Sequence, residues 1–161
     1  MPLATPTLSL CPTPVQSETL DSWNLLPTQP NWAQGWEDLW RPGEDGAHAA
    51  LEQFLAHHVI DYGDGRDIPS ARSTSRLSPY LRFGNLSPRQ VWHAAQASKV
   101  FEPEASSATD KFLSEVGWRE FCYHLLFHFP TMPDEAFNPK FSYFPWGTDQ
   151  QRLTAWQRGQ T

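Results

Sequence analysis

Residues 109–129 read TDKFLSEVGWREFCYHLLFHF, and the fold class turns on them. Phe112, Leu113, Val116, Trp118, Phe121, Cys122, Leu125, Leu126 and Phe127 leave almost no purely polar side. This predicts one long helix from Thr109 to Phe129, stopped by Pro130 and Pro133. A helix apolar nearly all round belongs in the middle of something larger. Two opposite charges interrupt it. Phe112, Glu115 and Arg119 share a face at i, i+3 and i+7, with Trp118 adjacent and Cys122 one turn further on. An unpaired buried charge costs several kcal/mol, so Glu115 and Arg119 must pair with each other, meet a polar ligand, or face a water-filled cavity.

Working back from this helix, Ser78-Pro79 and Ser87-Pro88 each put a capping hydroxyl before a proline at the first helical position. A short helix from Pro79, a turn at Phe83-Gly84-Asn85 and a longer helix from Pro88 to about Ala97 follow, with 98–108 as a surface loop. Leu51, Phe54, Leu55, His58 and Val59 set a helix from Ala47 that ends near Tyr62–Gly65, before a loop to Pro69. Downstream, 134–148 reads as an irregular loop rich in rings. A last helix starts near Gln150 with Leu153 and Trp156 on one face. With no period-two pattern anywhere, the chain reads as all-α.

Residues 1–46 hold seven prolines, from Pro2 to Pro42, the composition of an extended linker. Within them Trp32, Trp36 and Trp40 recur every four residues, which would align three indoles on a short helix. No basic residue precedes Arg41 and prolines break the apolar stretches, so neither a signal peptide nor a membrane span is read there.

A net charge of -6 excludes coating nucleic acid by bulk electrostatics, and any such role must be local. One local cationic stretch exists: Arg66, Arg72, Arg76, Arg82 and Arg89 stand against the single acid Asp67. Inside it, Ser73 to Ser78 gather four hydroxyls and an arginine ahead of a helix. That pattern suits a phosphate-binding turn, or a helix cap and nothing more. Cys11 and Cys122 lie far apart without metal-ligand spacing, so no disulfide or zinc framework is read, and a reducing cytoplasm fits. His124 and His128 at i,i+4 lack a third ligand, and no metal site is expected.

In order and spacing, several segments resemble the DNA photolyase and cryptochrome family. They are Tyr62 with Arg66-Asp67-Ile68-Pro69, Thr74 to Gly84, Leu86 to Gln90, Glu115 to Phe121, and Leu153 to Thr161. The likeness covers about Trp23 to Thr161 and is nearest to the class I cyclobutane-dimer photolyases. It implies that Tyr62, Thr74, Ser75, Arg76, Leu77 and Ser78 hold FAD, with Phe112 as an aromatic wall beside the flavin. Arg66 and Arg119 match contacts to the DNA backbone, Trp118 a ring packing on a flipped-out pyrimidine dimer, and Glu115 the carboxyl that hydrogen-bonds a damaged thymine; Cys122 joins that DNA face. Glu115 and Trp118 would be the catalytic pair.

The reaction implied is light-driven electron transfer from reduced FAD to a cyclobutane pyrimidine dimer in DNA, carried out by a monomer. Residues 47–161 would then be the first half of the FAD-binding helical domain, truncated at its C-terminus and without the family's antenna domain. Alone, such a piece is expected to be inactive, to bind flavin weakly and to aggregate. Two rival functions remain: a cryptochrome-type blue-light sensor that binds FAD without repair, and a non-catalytic helical module binding anions or DNA.

Overall fold

The computed structural model describes Thr7 and residues 16–161; Cys11, Pro2, Pro6, Pro12 and Pro14 of the proline-rich leader lie outside the described residues. Among the described residues six α-helices form: α1 Gly43–His57, α2 Tyr62–Gly65, α3 Ser78–Arg82, α4 Pro88–Phe101, α5 Ser106–His128 and α6 Gln150–Gln157. Short 3-10 turns join them, and no strand occurs among the described residues. The all-α reading stands. The chain divides into two compact units, Met1–Gly117 and Trp118–Thr161.

The core of the first unit is built from α1, α3, α4 and the start of α5. Phe54, Val59, Leu77, Leu86, Val91 and Leu113 are its largest sealed apolar side chains. α4 begins on a complete capping box: Gln90 N–H donates to Ser87 Oγ at 3.2 Å while Ser87 N–H donates to Gln90 Oε1 at 2.8 Å. Pro88 sits where its missing N–H costs nothing. The Ser78 counterpart differs. There the helix starts at Ser78 itself, Leu77 occupies the cap position in a helical conformation, and no side chain caps it. Leu77 is drawn almost wholly into the core, so packing rather than the hydroxyl sets this helix end.

Three further expectations are corrected. Residues 98–108 are not a loop. α4 runs on to Phe101, Pro103 opens a 3-10 turn, and α5 starts at Ser106. Lys99 of α4 pairs with Asp110 of α5, and Thr109 donates to the Ala105 carbonyl at 2.9 Å, which ties this corner shut. The helix from Ala47 starts earlier, at Gly43, because Gly46 lets the leader pass close. A Cβ there would stand 1.9 Å from the Arg41 carbonyl oxygen, which also accepts from Tyr80 Oη at 2.9 Å. Trp32, Trp36 and Trp40 do not share a helix. The segment is a run of turns with Gly35 at φ 83°, in which Trp32 and Trp36 meet edge to face at 5.3 Å.

α5 is buried over its first half alone, through Thr109, Phe112, Leu113 and Val116. From Trp118 onward it is not interior in this chain: Trp118, Phe121, Tyr123, Leu126 and Phe127 are exposed. In the second unit Asp149 caps α6, accepting from Gln151 N–H and Arg152 N–H at 3.0 Å. Leu153 and Trp156 on that helix are exposed. Among the described residues no helix is long and apolar enough to cross a membrane.

Candidate functional site

Burial of three rings positions the first part of the site. Tyr62 opens α2 against Phe54 of α1, at 5.8 Å and 82° between rings, and Phe112 of α5 closes the triangle at 4.7 Å from Phe54 and 5.4 Å from Tyr62. Edge-to-face packing of this kind adds about 0.5–1.5 kcal/mol per pair beyond area burial. Phe112 is therefore a core ring in this chain. The α2 turn then carries Arg66 over Tyr62, its guanidinium 5.5 Å from the ring centre.

The Glu115 carboxylate closes on Arg66, and Lys111 Nζ stands 3.6 Å away on the same helix. Arg119 pairs with Glu120 and lies 4.7 Å over the Tyr123 ring. The Arg66 hydrogen bond, ahead of the Arg66 and Lys111 charges, holds the Glu115 carboxyl below the usual carboxylate range against the opposing pull of burial. The same bond to Glu115 pushes the Arg66 guanidinium up. Burial raises the Tyr62 phenol, with Arg66 working the other way. The result is an ionised carboxylate in a half-open setting, its side chain 30% exposed.

The second part is a cleft of about 570 Å³ lined by Thr74, Ser75 and Arg76 together with Arg72, Gln53 and His58. Phe54 also lines it, so the cleft shares a wall with the three-ring cluster. Neither Thr74 nor Ser78 spends its hydroxyl on a helix cap. Ser75 Oγ accepts only a long 3.4 Å contact from Leu77 N–H. Arg76 holds a left-handed φ of 53°, uncommon outside glycine and costly to keep. Ser73 Oγ is buried without a partner, pressed toward Gly65.

α3, at five residues, is too short to offer much of a helix dipole. The anion-binding capacity of this turn therefore resides in hydroxyls and guanidiniums. These fit a diphosphate, which needs convergent donors and positive charge. Leu77, with its side chain in the core, has only its backbone to offer a ligand.

Trp118, Arg119 and Cys122 belong to the second unit. Trp118 meets Phe121 at 5.8 Å, and Cys122 is a free, exposed thiol. His124 and His128 come within 4.4 Å ring to ring, and no group of three metal-ligating side chains assembles among the described residues. Sequence reasoning missed Lys111 and the Arg66–Glu115 pair. Only the i,i+4 spacing of Lys111 and Glu115 could have signalled the first, and nothing local could have signalled the second.

Residues 112–161 match the family described as the FAD binding domain of DNA photolyase. A deoxyribodipyrimidine photo-lyase of Agrobacterium fabrum is 44% identical over 146 residues, 91% of this chain and 30% of that protein. Cryptochrome-2 of Arabidopsis thaliana is 32% identical over 127 residues, 76% of this chain and 21% of the other. A crystal structure of a bacterial class III photolyase from Agrobacterium tumefaciens superposes with a TM-score of 0.83 at 44% identity, over 94% of this chain and 31% of that one. The chain thus spans about a third of the length of such relatives. The resemblance read from the sequence was to class I, whereas this solved structure is described as class III; the two meet at the level of the family.

Proposed function

The chain belongs to the DNA photolyase and cryptochrome family, and from that premise we propose that it serves a light-dependent DNA-repair flavoprotein that splits cyclobutane pyrimidine dimers. One observation carries the reading: the Thr74 and Ser75 hydroxyls, left unused as helix caps, border a cleft that also holds Arg72 and Arg76. Thr74, Ser75, Arg76 and Ser78 would hold the FAD diphosphate, Leu77 through its backbone, with Tyr62 and Phe112 shaping the adjoining wall. The chemistry this cofactor supplies when bound is light-driven donation of one electron to the cyclobutane ring and its recovery after the ring opens.

The protein's own residues bind and orient. Arg66 and Arg119 would contact DNA phosphates, and Trp118 would stack on a dimer taken out of the helix, the usual solution when chemistry must reach a base. Glu115, as a carboxylate, would accept a hydrogen bond from the damaged base, and Cys122 would count among the DNA-binding residues. The domain reading follows from the same premise: a leader over 1–46 and the first half of the FAD-binding domain over 47–161. A monomer working in a reducing cytoplasm completes the proposal.

The test is repair of a dimer-containing oligonucleotide under blue light by the protein expressed from its complete reading frame, with flavin absorbance measured in parallel. Flavin bound and dimer split supports the proposal. Flavin bound with the dimer intact favours the light-sensor reading, which the cryptochrome relatives keep open. DNA affinity unchanged by Arg66→Ala and Arg119→Ala favours a plain anion-binding module.

A further inference from the structure

One side chain at the Glu115 site, Lys111, is assigned neither to the cofactor nor to DNA. Lys111 lies one helical turn before Glu115, and its Nζ approaches Oε1 at 3.6 Å. Arg66, arriving from the end of α2, closes on that same oxygen. The groups around the carboxylate are therefore Lys111 from its own helix and, from the α2 side, Arg66, with Tyr62 beneath Arg66 and Asp67 3.4 Å from the Arg66 Nε. Two cations from two elements converge on one oxygen of a side chain that stays open to solvent.

We propose that Lys111 is a positioning residue: with Arg66 it holds Glu115 by Oε1 as an anion, so that Oε2 is presented as a pure hydrogen-bond acceptor to the N–H edge of a pyrimidine. This rests on the reading that Glu115 meets a damaged base. An ionised carboxylate accepts and cannot donate, whereas its protonated form could also grip a carbonyl. A second cation next to the first keeps the site in the accepting state as the medium grows more acidic. Arg66 makes the stronger contact and Lys111 extends the range over which it works; the lowered Glu115 pKa, to which the Lys111 charge contributes, accords with this.

The experiment compares the parent with Lys111→Gln and Lys111→Arg in the protein expressed from its complete reading frame. The readout is affinity for a thymine-dimer oligonucleotide divided by affinity for the undamaged strand, from neutral pH down to about 4. Glu115→Gln serves as the pH-insensitive control. In parallel, carbon NMR of labelled glutamate follows the Glu115 titration without DNA.

Lys111→Gln is expected to move the acid loss of dimer preference and the Glu115 titration to higher pH. It should lower the preference about twofold near the midpoint, the size of an i,i+4 ion pair on a helix. Lys111→Arg should restore both. An unmoved titration overturns the proposal, as does an equal loss of affinity for damaged and undamaged strands, which marks Lys111 as a phosphate contact. If the parent shows no dimer preference while the titration still shifts with Lys111→Gln, the clamp stands and the repair reading is what fails.

Discussion

Gly65→Ala tests how closely α2 is packed on the hydroxyl turn. A Cβ at position 65 would lie 2.2 Å from Ser73 Oγ and 2.7 Å from Ser73 Cβ, with Ala71 Cβ at an ordinary 3.8 Å. The hydroxyl can rotate away. The Cβ cannot move unless the backbone of residue 73 moves with it, and Ser73 is 4% exposed. Overpacking a tight site costs about 1–3 kcal/mol, while replacing glycine by alanine in a helix returns roughly 0.5–1 kcal/mol.

The net expectation for Gly65→Ala is a loss of about 1–2 kcal/mol. Ser73→Gly removes both clashing atoms, so the double variant should recover most of the loss, with a coupling of about 1–2 kcal/mol between the sites. The assay is urea unfolding followed by helix circular dichroism, comparing midpoints at unchanged slope. If Gly65→Ala proves as stable as the parent, or if the two single losses simply add, the close approach of α2 to Ser73 is wrong.

Ser87→Ala should cost about 1 kcal/mol of stability through loss of the α4 cap, read in the same unfolding experiment, whereas Ser78→Ala should be close to neutral because that hydroxyl caps nothing. The Glu115 carboxyl is lowered by Arg66, so the folded chain holds its proton less tightly than the unfolded one. The stability this contributes is complete above the ordinary glutamate pKa of about 4.3 and fades as pH falls through the lower folded value; Glu115→Gln should flatten that acid limb in a pH series of unfolding midpoints. Trp118→Ala should leave the helix content unchanged, since the ring is exposed. It should weaken binding of a dimer-containing strand roughly 5- to 160-fold, the range for one stacked base at about 1–3 kcal/mol, measured by fluorescence anisotropy.

The sequence spoke clearly where structure is local. Ser87, Pro88 and Gln90 announced α4 because every partner of a capping box lies within one turn. It spoke less clearly where packing overrules the turn signal. The same Ser-Pro pair at 78–79 starts its helix differently because Leu77 is pulled into the core, and Pro103, a loop marker on its own, opens a 3-10 turn between two helices pinned by Lys99 and Asp110. The tryptophans at four-residue spacing failed as a helix because Gly35, in a left-handed conformation, interrupts them. Of the candidate site, the hydroxyl run and Glu115 were visible as residue types out of place. The partner of Glu115 was not, since Arg66 reaches it only after α1 and α2 have folded under α5.

The arrangement of the indoles has a photophysical corollary. Seven of the eight tryptophans are exposed, and Trp40, packed near Tyr80 at 6.1 Å, is the exception. Most ultraviolet emission from this chain thus originates from rings already bathed in water, and denaturant will redden it little. Quenchers such as iodide should reach nearly all of it in the native state. A small protected, bluer component belongs to the ring that fastens the leader beside α3, which makes Trp40 a built-in reporter for detachment of that segment while the rest of the chain stays dark to the event.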